Sequence, residues 1–466
     1  SLVGSEMCIR DSNYNMSKVI KLKKGLDIKL KGEAEKVVKA GGKCTLYAMK
    51  PTDFRALTPK LTVKVGDVVK AGDALFTDKA NPGIKFTAPV SGCIEAINRG
   101  ERRKLLEVVI KADSEITYRD FGKADVNQLS REEIITRLQD SGTWPLIIQR
   151  PYGILANPEI TPKAVFISTF DTAPLAPDFE WILKEEGKNL QAGIDCMQKL
   201  CNGNVNLGVK EGIPQNAVFN QLKNVNITYF EGPHPAGNVG IQINHISPIN
   251  KGEHVWTVNI QDLAIIGRLF TEGHYDARKT IALTGSEVKE AAYYKTMIGA
   301  QICCFTADKL KNEVHQRIIS GNVLTGTKVS DKGFLGFYAN QITVIPEGDT
   351  YEFLGWATPG FNKFSASRLF PSFLCPNKHY TLDANYHGER RAFVVSGQYD
   401  KVFPMDILPV YLLKAILAGD IDKMEQLGIY EVLPEDMALC EFVCTSKTPV
   451  QKILEDGIAL MMKETN

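Results

Sequence analysis

Two cysteines near the C-terminal end, Cys440 and Cys444, have the spacing of the last two ligands in a bacterial ferredoxin run. Such a run, C-x2-C-x2-C-x3-C-P, provides thiolates that converge on iron–sulfur clusters. The first two ligand positions fall here on Pro434 and Met437, and Thr445 replaces the final proline. Two thiolates out of four cannot hold a [4Fe–4S] cluster, so we predict that both cysteines are buried thiols without a cluster.

A second run of the same type would end at Pro404, in the stretch VFPMDILP. Its ligand positions carry no cysteine and fall on Phe393, Ser396, Tyr399 and Phe403. Helical periodicity follows in residues 407–429. The C-terminal part is therefore predicted to have the helical frame of a two-cluster module whose clusters are lost.

Lys79 is a candidate for covalent modification, because Asp78-Lys79-Ala80 is similar to the lipoyl attachment triplet. Residues 61–97 resemble the barrel-sandwich fold of biotinyl and lipoyl domains, in which the modified lysine lies at a hairpin tip. The turn signal here is Asn81-Pro82-Gly83, since proline fixes φ and glycine accepts positive φ. Lys79 would then lie on the strand before the tip. We predict a rigid docking module, with a covalent carrier as the alternative.

The segment before this module, residues 18–43, contains nine lysines against three carboxylates. The alternation in VIKLKKGLDIKLKG predicts short, half-buried strands with a lysine face. A solvated face is the simpler interpretation, and docking to an acidic partner or a lipid surface is the alternative.

The middle of the chain alternates helix and strand patterns. Ser130 and Glu133 form the signature of a capping box at the start of a helix. Further patterns predict strands and helices at 164–169, 179–186, 191–200 and 205–209. This alternation indicates an open α/β sheet, in which ligand sites lie at the carboxyl ends of the strands.

This part of the chain has no G-x-G-x-x-G motif for binding a dinucleotide. Two other glycine-rich stretches are candidates for phosphate binding. In GPHPAGNVG, residues 232–240, Pro233 and Pro235 lack the backbone donors that a phosphate cradle uses. His234 could donate to an oxygen ligand there, or the stretch is a structural turn. Residues 321–328 have P-loop spacing but reverse its Lys-Ser/Thr order, so we predict a turn between strands.

Composition excludes several classes of protein. The chain has 466 residues, with 55 lysines and arginines against 54 aspartates and glutamates, so it lacks the basic excess of a nucleic-acid-binding protein. Its longest apolar stretch, 407–419, is interrupted by Pro409 and Lys414 and is too short to span a bilayer. The histidines show no metal-ligand spacing. No cysteine framework is present, which indicates a reducing, cytoplasmic setting.

Residues 1–15 are treated as a non-native or disordered leader, since SLVGSEMCIRDS is similar to a translated sequencing adaptor. From Met16 onward the chain closely resembles the A-type subunits of the Na+-translocating NADH:quinone oxidoreductases. The resemblance rests on many stretches in the same order, among them IKLKKGLDI, FTDKANPGIKFTAPVSG, FEGPHPAG, VNIQDLAIIGRLFTEG, IISGNVLTGTK, FLGWATPGFNKFSASR, FPMDILP and ALCEFVC. The family is in turn similar to the C-type subunits of the Rnf complexes and to the flavin-binding subunit of respiratory complex I.

The resemblance implies a multidomain chain of α/β and α+β type. It implies a barrel-sandwich (biotinyl/lipoyl-like) hybrid domain, a Rossmann-like α/β domain, a ubiquitin-like domain of the SLBB type and a helical domain resembling a cluster-less ferredoxin module. We expect these domains at residues 16–115, 116–275, 276–370 and 371–466.

The resemblance also implies a function. This would be a peripheral subunit on the cytoplasmic face of the bacterial inner membrane, held there by the other subunits of a sodium-pumping NADH:quinone reductase. NADH, flavins and iron–sulfur centres are then expected on those partners, while this chain has no tightly bound cofactor, no metal and no catalytic residue of its own. The alternative is a subunit of the Rnf type that carries flavin and iron–sulfur clusters.

A quinone site needs an apolar slot with one or two polar donors to the ring oxygens. Two stretches supply those residue types, GPHPAG and FLGWATPGFNKFSASR. The candidate quinone-binding residues are His234, Trp356, Phe361, Asn362, Lys363 and Arg368. A structural loop with a solvated basic rim is the alternative for the second stretch.

Overall fold

The computed structural model describes residues 18–42, 44–311, 313–350, 352–355, 358 and 360–465. The predicted leader and Trp356 lie outside the described residues. Every helix within those ranges is too short or too polar to span a lipid bilayer.

The N-terminal part of the chain contains nine strands. They are β1 (Lys18–Lys21), β2 (Glu35–Lys39), β3 (Leu46–Met49), β4 (Pro59–Leu61), β5 (Val68–Val69), β6 (Ala74–Asp78), β7 (Lys85–Thr87), β8 (Gly92–Arg99) and β9 (Leu105–Ala112). Seven of them make two small antiparallel sheets, with the orders β3-β9-β8-β5 and β4-β6-β7. Phe76 and Phe86 stack with ring centroids 4.7 Å apart in the core of this region.

The lysine-rich strands β1 and β2 pair outside those two sheets. β1 runs parallel to a strand of the α/β sheet and β2 runs parallel to a strand of the third sheet, both described below. Residues 18–39 therefore connect the barrel-sandwich region to the α/β sheet and to the third sheet.

The position predicted for Lys79 needs correction. Strand β6 ends at Asp78, so Lys79 is the first residue of the loop and not part of the strand. The backbone N–H of Lys79 donates to the Thr58 carbonyl at 2.9 Å and not to a residue of the β6–β7 hairpin.

The α/β region contains α1 (Arg131–Ser141), β10 (Ile147–Arg150), β11 (Ile154–Leu155), β12 (Val165–Ser168), α2 (Phe179–Leu183), α3 (Gly187–Leu200), β13 (Val205–Lys210), β14 (Asn226–Glu231), α4 (Val239–Ile246), β15 (Val255–Val258) and α5 (Ile260–Glu272). The capping box of Ser130 and Glu133 is confirmed. The seven strands have the order β1-β14-β13-β12-β15-β10-β11, parallel from β1 to β15. The strand order reverses at β12, because β13 and β14 lie on one side of it and β15 on the other.

The third sheet is mixed. It contains β16 (Arg278–Thr284), β17 (Ala292–Met297), β18 (Gln316–Ser320), β19 (Thr327–Val329) and β20 (Gln341–Pro346), with the short helix α6 (Cys303–Thr306) between β17 and β18. Its order is β19-β18-β20-β16-β17-β2. The predicted turn at Gly321 is confirmed, since it joins the antiparallel strands β18 and β19. Cys304 forms a disulfide with Cys44, which no spacing in the sequence indicates.

The C-terminal part is helical. Its helices are α7 (Tyr399–Val402), α8 (Pro409–Ala418), α9 (Ile421–Gln426), α10 (Ala438–Val443) and α11 (Val450–Thr465). They share one apolar core with Leu22, Ile28 and Leu30 from the N-terminal segment and with Phe230 from β14. Residues 22–30 therefore lie between the α/β sheet and the C-terminal helices.

Candidate functional site

A crevice of about 510 Å³ opens at the carboxyl ends of β12 and β13, beside the point where the strand order reverses. Its walls are the loop that follows β12, residues 169–178, and the loop that follows β13, residues 211–214, with residues 27–30 closing one side. Parallel α/β sheets bind ligands outside the carboxyl ends of their strands, and this crevice lies there, on the β13 side of the reversal. The wall mixes polar and apolar groups, and its apolar side chains include Ile28, Leu30, Phe170, Phe179, Ile213 and Phe219. Its carboxylates are those of Asp27, Glu33, Asp171, Asp178, Glu180 and Glu211.

Three of the polar groups on the wall could contact a ligand, those of Asp171, Lys210 and His379. Asp171 turns back on its own loop, where its Oδ1 accepts the Ala173 N–H at 2.8 Å. Burial raises the pKa of Asp171 above its usual value. Lys210 at the end of β13 and His379 from the C-terminal part also line the crevice. These groups can donate to or accept from a ligand, but they form no nucleophile–base pair.

His234 lies behind the crevice wall and does not line it. Its backbone N–H donates to Asp27 Oδ1 at 2.9 Å, and its Nδ1 lies 3.0 Å from Thr172 Oγ1. The same Thr172 oxygen accepts the Gly237 N–H, so Thr172 contacts both the His234 ring and the backbone of its loop. His234 therefore orients two residues of the crevice wall, Asp27 and Thr172.

Burial lowers the pKa of His234 to about 4, so the imidazole is neutral at pH 7. Because the folded-state pKa lies below the unfolded value, this residue costs no stability above about pH 6.5 and an increasing amount as the pH falls towards 4. We expect the free energy of unfolding to drop by about 2 kcal/mol from this group between pH 7 and pH 4.5. Chemical unfolding at both pH values measures the drop.

A His234→Gln variant should lose that part of the pH dependence, while a His387→Gln variant at an exposed position should keep it. Identical pH profiles for the parent protein and His234→Gln would show that His234 titrates normally.

Three of the candidate residues in the stretch 353–368 lie on the surface. Phe361, Asn362 and Arg368 are exposed, and Asn362 Oδ1 accepts from Lys378 Nζ at 2.6 Å. Lys363 is half-buried and its Nζ lies 2.8 Å from Glu352 Oε1. The structure therefore does not bring these four residues together with His234, and none of them lines the crevice. Their role in quinone binding stays a prediction.

Sequence reasoning missed most of the crevice. The loop DTAPLAPD after a buried strand is a signal for a site at the carboxyl end of β12, and it could have singled out Asp171 and Thr172. Asp27 and Lys210 carry no local signal, because they reach the crevice only through the pairing of β1 with β14 and of β13 with β12.

Cys440 and Cys444, the two cysteines at ferredoxin ligand positions, are both buried, as predicted. Cys444 Sγ accepts from the Tyr399 hydroxyl at 3.0 Å and from the Thr448 N–H at 3.3 Å. Burial opposes ionisation of Cys444, but these hydrogen bonds lower the pKa of its thiol below the usual value. Burial raises the pKa of Cys440. In two-cluster ferredoxins the fourth cysteine of one run ligates the cluster of the other run, and Tyr399 occupies the third position of that other run.

One cluster of possible metal ligands occurs in the described residues, with the ligand atoms of Glu272, His274 and Asp276 within 4.8 Å of one another. Two guanidinium groups already contact its Asp276 carboxylate, those of Arg268 and Arg278. Such cationic neighbours disfavour a divalent metal, so the cluster is better described as an ion-pair network.

Three family models match the chain. A model described as the NqrA N-terminal barrel-sandwich hybrid domain matches residues 20–113, one described as the NqrA second alpha/beta domain matches 129–275, and one described as the NQRA C-terminal domain matches 280–331. They agree with the coarse prediction of a barrel-sandwich domain followed by an α/β domain and a C-terminal domain. The exact domain boundaries stay predictions.

Curated relatives match almost the whole chain. The A-type subunit of the Na(+)-translocating NADH-quinone reductase from Yersinia pestis is 39% identical over 451 residues, and that from Pasteurella multocida is 37% identical over 451 residues. Each alignment covers 96% of this chain and 100% of the relative. A chain of a solved NAD+-reducing [NiFe]-hydrogenase aligns with this protein at 11% sequence identity and a TM-score of 0.38. The alignment covers 75% of this chain and 67% of the hydrogenase chain.

Proposed function

The chain belongs to the family of A-type subunits of the Na+-translocating NADH-quinone reductases, and from that premise we propose that it is the peripheral quinone-binding subunit of such a complex. The complex couples oxidation of NADH and reduction of quinone to export of Na+. In this proposal the chain lies on the cytoplasmic face of the inner membrane and docks on the other subunits, which carry the flavins and iron–sulfur centres.

The finer description of the domains is part of the proposal. The parallel strands with a reversal at β12 support a Rossmann-like domain, and the mixed sheet β16–β20 supports a ubiquitin-like SLBB domain. For the helical part, the bond between Cys444 and Tyr399 supports the frame of a two-cluster ferredoxin, because it joins two ligand positions that would share one cluster.

We infer that this chain carries no redox cofactor, because six of its eight cluster-ligand positions lack a thiolate and the α/β domain lacks a dinucleotide glycine loop. A visible absorption spectrum of the full chain, purified without oxygen, tests this. We expect no absorption band at wavelengths longer than those at which the aromatic side chains absorb. A flavin band or a broad iron–sulfur absorption would contradict the inference and favour the Rnf-type alternative.

The observation that carries the quinone proposal is the crevice at the carboxyl ends of β12 and β13, where apolar side chains lie beside polar ones. A quinone ring has two apolar faces and two carbonyl acceptors, so it needs apolar side chains for the faces and a donor near each oxygen. Lys210 is the donor at the end of β13. Ile28, Phe170 and Ile213 supply apolar wall to the same space.

Calorimetric titration of the full chain with a short-tailed ubiquinone tests this location. Ala176 lines the crevice, so Ala176→Trp should fill it and weaken binding at least about tenfold. Ala80→Trp is the matched control, because Ala80 is exposed in the loop after β6. Its affinity for quinone should equal that of the parent protein.

A third variant separates the crevice from the surface stretch that the sequence suggested. Phe361→Ala should leave quinone affinity unchanged if the quinone binds in the crevice. A loss in Phe361→Ala with normal binding in Ala176→Trp would move the site to residues 361–368. A parent protein that binds no quinone would refute the quinone role altogether.

A further inference from the structure

The segment after the third sheet exposes several large apolar side chains close together in the sequence. Phe361 and Leu374 are each 70% exposed, Leu369 is 65% exposed and Phe373 is 50% exposed. The only regular structure between them is a single 3-10 turn, Pro371–Leu374. Apolar side chains clustered in this way mark an interaction surface.

Basic side chains lie on the same surface. Lys29 and Lys31 are exposed, while the alternating residues Ile28 and Leu30 are buried, so both lysines point to the same side of the chain. Leu30 forms a bridge with Tyr380, which holds this strip against the apolar segment. Lys29 Nζ donates to the Pro376 carbonyl at 3.0 Å, two residues beyond Leu374.

The apolar segment also carries its own cations. Lys378 Nζ donates to the Phe361 carbonyl at 2.6 Å, and Arg368 is exposed beside Leu369. We call Lys29, Lys31, Arg368 and Lys378, with Phe361, Leu369, Phe373 and Leu374, the basic–apolar face.

The cations of this face lack carboxylate partners. Among the described residues, no carboxylate oxygen lies within ion-pair distance of Lys29, Lys31, Arg368 or Lys378. Their neighbour Lys363 differs, since its Nζ pairs with Glu352 at 2.8 Å. The nearby Asp27 already accepts the His234 N–H through its Oδ1. The four cations of the face therefore have no ion-pair partner in the described chain, although the exposed carboxylates of Asp27 and Glu33 lie two residues from Lys29 and Lys31.

We propose that the basic–apolar face docks directly on the surface of an anionic lipid bilayer. Lysines next to exposed phenylalanines and leucines are typical of surfaces that rest in the lipid headgroup layer, where apolar side chains enter the acyl boundary. The centres of protein interfaces are, by contrast, depleted of lysine. A headgroup layer neutralises all four cations without needing an acidic group at each matching position.

The location of the face adds a consequence that rests on the proposed quinone site. Lys29 belongs to the face and also lines the crevice, as does His379 next to Lys378. Docking would therefore bring the mouth of the crevice to the bilayer, from which a lipid-soluble quinone could enter. The docking itself requires no quinone, so the two proposals can fail separately.

Sedimentation of the full chain with lipid vesicles tests the proposal. We expect binding to phosphatidylcholine vesicles that contain phosphatidylglycerol, little binding to pure phosphatidylcholine, and weaker binding at high salt. Lys29→Gln/Lys31→Gln should weaken binding about 25-fold, from about fivefold per lysine near an anionic surface. Phe361→Ser/Leu374→Ser should weaken it by about tenfold or more.

The matched control is Lys60→Gln/Lys104→Gln, which removes two exposed lysines from the barrel-sandwich region. This variant should bind anionic vesicles like the parent protein. Circular dichroism and thermal unfolding check that every variant is folded. Equal losses in the control, equal binding to neutral vesicles, or no vesicle binding by the parent protein would overturn the proposal. Binding to an acidic segment of a partner protein without vesicle binding would also overturn it, in favour of a protein occupant.

Discussion

Replacing Arg150 by alanine should lower the free energy of unfolding by about 3–5 kcal/mol, because it leaves a buried carboxylate without its counter-charge. The Arg150 side chain is 1% exposed and that of Asp436 is fully buried, and their Nη1 and Oδ2 atoms lie 2.8 Å apart. A second nitrogen of Arg150 contacts Glu435 at 2.5 Å. Arg150 ends β10 of the α/β sheet, whereas Asp436 precedes α10, so the pair joins two regions of the chain.

Urea unfolding of Arg150→Ala against the parent protein measures this effect. The control is Lys452→Ala, which removes an ion pair with Asp456 whose side chains are both about two-thirds exposed and should change stability by at most about 0.5 kcal/mol. Arg150→Lys should recover only part of the loss, since lysine cannot bond both carboxylates with a planar fork. A change below about 1 kcal/mol in Arg150→Ala would show that the ion pair with Asp436 contributes little to the stability of the folded protein.

The ion pair between Arg150 and Asp436 explains why residue 240 is a glycine, which no local sequence pattern indicates. A Cβ on Gly240 would lie 2.3 Å from Arg150 Nη1 and 2.3 Å from Asp436 Oδ2. Gly240 is in the first turn of α4, directly after the loop that contains His234. In that loop, Asn238 Nδ2 donates to the Glu435 carbonyl at 3.0 Å. The ion pair therefore also fixes the start of α4 behind the crevice.

Local sequence patterns predicted those elements whose determinants are close in the sequence. The helix after Ser130 has its capping box, and the strand predicted over 164–169 is β12. The helix predicted to begin at residue 191 begins instead at Gly187. The residue before it, Glu186, makes no side-chain cap and its carboxylate pairs with Arg268 of α5. The contact between Glu186 and Arg268 therefore supports the start of α3, and a local sequence pattern cannot predict this contact.

The candidate site was predictable only in part for the same reason. GPHPAG stands out because prolines and glycines shape a rigid loop, and the structure places this loop directly behind the crevice. The contact between Asp27 and His234 joins residues 207 positions apart, and that between Arg150 and Asp436 joins residues 286 apart. Neither pair has a local signature, because each depends on how strand β1 and the C-terminal helices pack against the α/β sheet.

Replacing Lys279 by alanine should also cost about 3–5 kcal/mol of unfolding free energy. Lys279 Nζ lies 2.7 Å from Asp262 Oδ1, and both side chains are fully buried. Lys279 Nζ also donates to the Phe337 carbonyl at 3.1 Å. Asp262 is in the first turn of α5 and Lys279 is in β16, so the pair joins the α/β domain to the third sheet. Urea unfolding measures the loss.

The double variant Lys279→Met/Asp262→Leu decides what the buried pair contributes. Removing one partner leaves the other charge buried, whereas removing both replaces two costly desolvations by apolar contacts of similar volume. We therefore expect the double variant to recover at least half of the stability lost in Lys279→Ala. If it is as unstable as the single variant, the bond from Lys279 to the Phe337 carbonyl accounts for the loss, because the double variant lacks that donor too. If it recovers, the ion pair specifies how α5 meets β16 without adding much net stability.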